Sequence, residues 1–210
     1  MRTMINTSSE LGQWLSEELV VVSKIISTQL HSPHDGVNEM CDELAAYRGK
    51  MLRPSLLLLA WRSTSKNPQQ LPDSVHSLAA VVELIHLATL VHDDVLDEAA
   101  IRRGETTIHK LRGNEAAVML GDYLLSSAFH LCSTAKNPSL NLLLGEVAST
   151  VCSGETMQLY HRNNIDLSTG DYYQIIGDKT ASLIAASCAI GGMLGGGLSD
   201  SVAALTTFGE

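Results

Sequence analysis

The stretch from Ser74 to about Ala100 constrains this chain more than any other, because it runs long without a single glycine or proline. Its middle, LAAVVELIHLATLV, is apolar enough to be core, so it reads as one long helix that others must cover. The rest of the chain is helical in its periodicity nearly everywhere, and no period-two strand run stands out. Further helices are expected at about residues 8–30, 36–47, 114–135, 138–161, 168–176 and 178–195, with another starting near Asp200. Pro54 opens one more, PSLLLLAWRST, since proline suits a first helical turn whose N–H groups are unbonded anyway. KNPQQLPD reads as a loop and RRGETT as a turn. With no internal repeat and short connections, the expectation is an all-α antiparallel helical bundle, a single domain over residues 1–210.

Composition narrows the function classes. The net charge of −9 argues against a nucleic-acid surface, which needs clustered lysine and arginine. An acidic protein still binds anions where a few cations or metal ions converge. Cys41, Cys132, Cys152 and Cys188 form no CxxC pair, so zinc and thioredoxin-like chemistry find no support, and reduced, mostly buried thiols of a cytoplasmic protein are the plain reading. The opening MRTMINTSSELGQWL lacks the apolar core of a signal peptide. Residues 180–199 carry no charge and are long enough to span a membrane. Their alanine, serine and glycine content, with Lys179 the one flanking basic residue and no Trp or Tyr within them, instead suits a buried helix ending in a glycine turn.

The long helix ends in VHDDVLDEAAIRRG. Asp93 and Asp97 each fall within roughly 20° of His86 on a helical wheel. Asp93 and Asp97 repel each other at i, i+4, which destabilises an isolated helix by about 0.2–0.5 kcal/mol. A solvated helix end is the plain alternative, but aspartate is a poor choice for one, because glutamate favours helix more. Carboxylates at this spacing suit Mg²⁺, a hard ion that takes one or two of them together with substrate phosphates. Arg102 and Arg103 follow closely and are suited to phosphate oxygens.

Three other places hold candidate chemistry. In RGKMLRP, Lys50 and Arg53 stand at i, i+3 at the start of a helix, where free N–H groups also attract anions. In GDKTASL, Lys179 and Thr180 offer a cation and a hydroxyl; the plain alternative makes Asp178 a helix cap and Lys179 a solvent charge. In GETMQLYHRNN, Glu155 and Gln158 stand at i, i+3 and suit core hydrogen bonding as well as ligation. His92 beside Asp93 reads as a ligand, a base or a packed ring. There is no HExxH, GxSxG, P-loop or dinucleotide fingerprint.

Taken in order, RGKMLRP, ELIHLATLVHDDVLD, RRGETTIH, GDYLLSSAF, SGETMQL and GDKTASL resemble the trans-isoprenyl (polyprenyl) diphosphate synthase family. The resemblance implies an isoprenoid synthase-type helical bundle and a prenyltransferase that joins isopentenyl diphosphate head-to-tail to an allylic diphosphate. By that resemblance, Asp93 and Asp97 bind Mg²⁺, and Lys50, Arg53, His86 and Arg103 bind isopentenyl diphosphate. Arg102, Lys179 and Thr180 contact the allylic diphosphate, and Gln158 joins the substrate-binding set. Ala88, five residues before Asp93, takes the position that limits chain length, and its small side chain resembles that of long-chain synthases. Two departures stand in RGKMLRP: Arg48 replaces the usual first glycine, and Met51 a common basic residue. The family's second aspartate-rich motif does not occur in the sequence. The expectation is therefore either the N-terminal two thirds of a synthase domain or a short, non-catalytic subunit that tunes a complete partner. A homodimer, or a heteromer with a complete synthase subunit, is implied. So are the absence of a transmembrane span and a peripheral membrane contact compatible with product release.

Overall fold

Side-chain caps start several helices where the sequence supplies them. Helix α1 (Glu10–Gln29) begins at Ser9, whose hydroxyl accepts the Gly12 N–H at 3.1 Å. The computed structural model describes residues 9–44, 47 and 49–210. Helices α2 (Asp35–Glu43), α3 (Leu52–Thr64) and α4 (Asp73–Leu96) follow, then strands β1 (Ile101–Arg102) and β2 (Glu105–Thr106). The remainder is helical: α5 (Ile108–Arg112), α6 (Asn114–Thr134), α7 (Pro138–Tyr160), α8 (Thr169–Ile176), α9 (Ser182–Leu194) and α10 (Ser199–Gly209). Two compact units divide the chain, Met1–Ser55 with His76–Ala135, and Leu56–Val75 with Lys136–Glu210.

In the first unit, α1 turns Leu15, Leu19, Val22 and Ile26 inward, and α6 contributes Leu120, Leu124 and Ala128. From Leu78 to Val91 almost every apolar residue of α4 is buried, as expected of a helix apolar on all sides rather than along one stripe. Among the described residues, α4 is the one helix long and apolar enough to cross a membrane, and 72% of its apolar window is buried. In the second unit α9 packs along α7 and α10. Its glycines are contact points: a Cβ at Gly191 would meet the Leu57 carbonyl and lie 2.9 Å from the Ala60 Cβ. The Thr64 hydroxyl donates to the Gly192 carbonyl at 3.1 Å, tying α3 to α9.

Several boundaries differ from expectation. The long helix ends at Leu96 rather than near Ala100. RRGETT is a β-hairpin pairing Ile101 with Thr106 and Arg102 with Glu105, and α5 directly after it was not expected. Helix α2 stops at Glu43, and of the residues beyond it, Ala45, Ala46 and Arg48 lie outside the described ones. The break expected at GDK is absent. Instead, α8 runs through a π-helical turn (Gly177–Ala181) into α9, so Asp178 caps nothing and accepts hydrogen bonds from Gln174 Nε2. The uncharged run is spread over that turn, α9 and the glycine turn, with α9 mostly buried. The cysteines are free, but only Cys132 and Cys188 are buried, while Cys41 is half-buried and Cys152 exposed.

Candidate functional site

At the end of α4, Asp97 is one residue past the helix, yet its N–H still bonds the Asp93 carbonyl at 2.8 Å. The i, i+4 register of the two carboxylates therefore survives. Glu98 then takes a left-handed φ of +52°, while the N–H groups of Glu98 and Ala99 close on Val95 O and Asp94 O at 3.3 and 3.0 Å. This bond pair stops the helix and turns the chain. The hairpin follows, and its two-residue loop puts Arg103 at φ +52° and Gly104 at φ +91°, as the tightest hairpin turns require.

That turn sends the two arginines to different partners. Arg102 donates to the Asp94 carboxylate from Nε at 2.9 and 3.0 Å and from Nη2 at 2.6 Å. Asp94 is only 1% exposed, and its hydrogen bonds hold the Arg102 guanidinium above its usual pKa, with the nearby Asp93 charge helping. Arg103 Nη1 donates to the Tyr47 carbonyl at 2.9 Å. Its guanidinium fills the space beside Gly49, where a Cβ would lie 2.5 Å from Nη1. A side chain at 49 would displace it.

Arg53 sits in the first turn of α3, and burial pulls its pKa down against the opposing charge of Glu83. Its Nε is buried without a hydrogen-bond partner. His86 is pushed down to about 3, first by burial and then by the charges of Arg53, Arg103 and Arg102. The imidazole is therefore neutral within a field of three cations, the field that an anion would relieve. Lys50 is exposed at the edge of the same segment, and Ala88 is buried one α4 turn before His92. His92 is half-buried: its Nε2 lies 3.2 Å from Val118 O and 3.5 Å from Asp122 Oδ1, with its ring against Gly121.

In the second unit, Lys179 Nζ pairs with Glu155 Oε2 at 2.5 Å and reaches Gln158 Oε1 at 3.4 Å. Gln158 donates in turn to Glu155 Oε1 at 3.2 Å. Gly154 permits this, since a Cβ there would lie 2.6 Å from the Lys179 backbone nitrogen. Thr180 is exposed in the same π turn. Lys179 is thus ion-paired to an acid rather than solvated, and Gln158 links the two by accepting from Lys179 and donating to Glu155.

Among the described residues, no group of three or more His, Cys, Asp or Glu gathers to cage a metal. Two carboxylates in helical register, Asp93 half-buried and Asp97 exposed, fit an ion completed by substrate oxygens and water. Tyr47 and Asp94 are the residues that sequence reasoning left without a role. Adjacency of Asp94 to Asp93 was the only signal for one, and nothing in the local sequence singles out Tyr47.

A family model described as polyprenyl synthetase matches residues 34–210. The octaprenyl diphosphate synthase of Escherichia coli is 30% identical over 188 residues, 89% of this chain and 57% of that protein. Heptaprenyl diphosphate synthase component 2 of Geobacillus stearothermophilus is 34% identical over 197 residues, 94% of this chain and 60% of that protein. The polyprenyl synthase of Caulobacter crescentus, solved with calcium and isoprenyl diphosphate, superposes with a TM-score of 0.87 at 31% identity, covering 95% of this chain and 60% of that one. The chain spans 57–60% of the length of these three proteins.

Proposed function

The chain belongs to the polyprenyl synthetase family, and from that premise we propose that it condenses isopentenyl diphosphate with an allylic diphosphate. The 210 residues are read as belonging to a single isoprenoid synthase-type domain. The observation that carries the proposal is the field of Arg53, Arg102 and Arg103 around a neutral His86, on the helix that carries Asp93 and leads to Asp97. A site with that charge distribution binds a polyanion through cations and a carboxylate-held metal.

Asp93 and Asp97 would hold Mg²⁺, which when bound supplies charge neutralisation for a departing diphosphate. Arg102 hydrogen-bonds the allylic diphosphate as its carbon–oxygen bond ionises, where preset donors are worth most because they need no rearrangement. Lys179 and Thr180 are assigned to binding of an allylic diphosphate, and Gln158 to the substrate-binding set. Lys50, Arg53, His86 and Arg103 hold isopentenyl diphosphate, whose double bond attacks the allylic cation before a proton is lost. Neutral His86 donates a hydrogen bond there without adding charge. The small, buried Ala88 fits a long product, as do relatives named for octaprenyl and heptaprenyl diphosphate. The proposal extends to a dimer in the cytoplasm with only peripheral membrane contact.

The test is Mg²⁺-dependent incorporation of labelled isopentenyl diphosphate into an allylic primer by a protein that carries the whole synthase domain, expected to vanish in Asp93→Ala. Turnover that survives in that variant overturns the metal assignment. Ala88→Phe is expected to shorten the product without abolishing it. One relative is named a numbered component, which favours a second reading, a subunit that tunes a partner synthase. Under that reading the chain alone is inert, and mixing it with a complete synthase changes that enzyme's product length.

A further inference from the structure

We infer that Tyr47 and Asp94 are a positioning pair that sets Arg102 and Arg103 in place before any diphosphate arrives. Tyr47 is 2% exposed and touches both arginines in different ways. Its carbonyl accepts from Arg103 Nη1 at 2.9 Å, and its ring lies under the Arg102 guanidinium, 5.8 Å from Cζ to the ring centroid. Its hydroxyl accepts the Ile108 N–H at 3.1 Å, which anchors the ring to the segment following the hairpin. Burial and the nearby Asp94 carboxylate push the phenol well up, so it stays protonated.

Asp94 completes the pair from α4. Successive helical residues point about 100° apart, so the buried Asp94 is turned away from the face shared by Asp93 and Asp97. Its oxygens meet Arg102 Nε and Nη2 and leave Nη1 outside those contacts. The Arg102 side chain remains 26% exposed, so it presents an edge to ligand while its position is set from within. A guanidinium ordered in advance loses less freedom on binding than a solvated one. Asp94 therefore acts through Arg102 and does not ligate metal.

This inference rests on the diphosphate reading above, and the experiment separates the two. Inorganic diphosphate is titrated calorimetrically into the 210-residue chain at saturating Mg²⁺, and Mg²⁺ half-saturation is measured alongside. Asp94→Asn is expected to weaken diphosphate binding about tenfold or more, since a charge-assisted hydrogen-bond pair is lost, while leaving Mg²⁺ half-saturation unchanged. Tyr47→Phe, which keeps the ring and its packing, is expected to weaken it several-fold. In an Arg102→Ala background, Asp94→Asn should add nothing further. An unchanged diphosphate affinity in Asp94→Asn, or a shift in Mg²⁺ half-saturation instead, overturns the pair. A ligand-free readout stands apart from substrate: the ¹⁵N-resolved Arg102 Nε–H signal should shift and exchange faster in both variants. If wild type ignores diphosphate, the diphosphate reading falls, and an unmoved Nε–H signal would sink the positioning pair on its own.

Discussion

Gly49 and Arg103 occupy one space: the guanidinium of Arg103 lies where a side chain at 49 would begin, 2.5 Å from an ideal Cβ. Gly49→Ala should therefore swing Arg103 off the Tyr47 carbonyl, with a stability loss of about 1 kcal/mol for the hydrogen bond. If Arg103 holds isopentenyl diphosphate, the KM for that substrate rises about tenfold while kcat changes little. Urea denaturation and steady-state kinetics check the two parts separately.

Lys179 and Glu155 make a partly buried ion pair, with side chains 21% and 13% exposed. Lys179→Met leaves the Glu155 carboxylate without its cation, so the variant is expected to lose about 1–3 kcal/mol of stability. Glu155→Gln keeps the hydrogen bonding to Gln158 and should be far milder in a thermal melt. Lys179→Met also weakens allylic diphosphate binding if the assignment of Lys179 holds, and a competition assay measures that.

His86 links stability to pH. Its folded pKa of about 3 lies below the ordinary 6.5, so between those values the unfolded chain binds more protons than the folded one. The contribution is fully present above about pH 6.5 and is lost as pH falls toward 3. The slope is below about 1.4 kcal/mol per pH unit, because the ring keeps some solvent exposure. His86→Asn should flatten the denaturation midpoint between pH 4 and 6. Diphosphate bound among the arginines should raise the His86 pKa, which NMR titration reads directly.

The α3–α9 contact leaves no room for a side chain at Gly191, where the obstruction is the Leu57 carbonyl and the Ala60 Cβ. Backbone cannot move aside as a flexible side chain would. Gly191→Ala is expected to cost about 1–3 kcal/mol through overpacking, despite the better helix propensity of alanine. On this chain length that is a fall of several degrees in Tm, checked by calorimetry.

Helix positions were legible because their signals are local. Apolar periodicity and proline in a first turn act within a few residues of where they occur. The carboxylate pair at 93 and 97 was equally legible, since helical register alone sets it. The hairpin was not, because two residues per strand are too few to show an alternating pattern, and its left-handed Arg103 is no usual turn residue. Nor was the continuous passage from α8 to α9 legible, since a π turn absorbs the glycine that reads as a break. Above all, the local sequence contains nothing that joins Tyr47 to Arg103, 56 residues away, or Lys179 to a glutamate in another helix. Those contacts depend on which helix faces bury together, and that choice is made by packing across the whole unit.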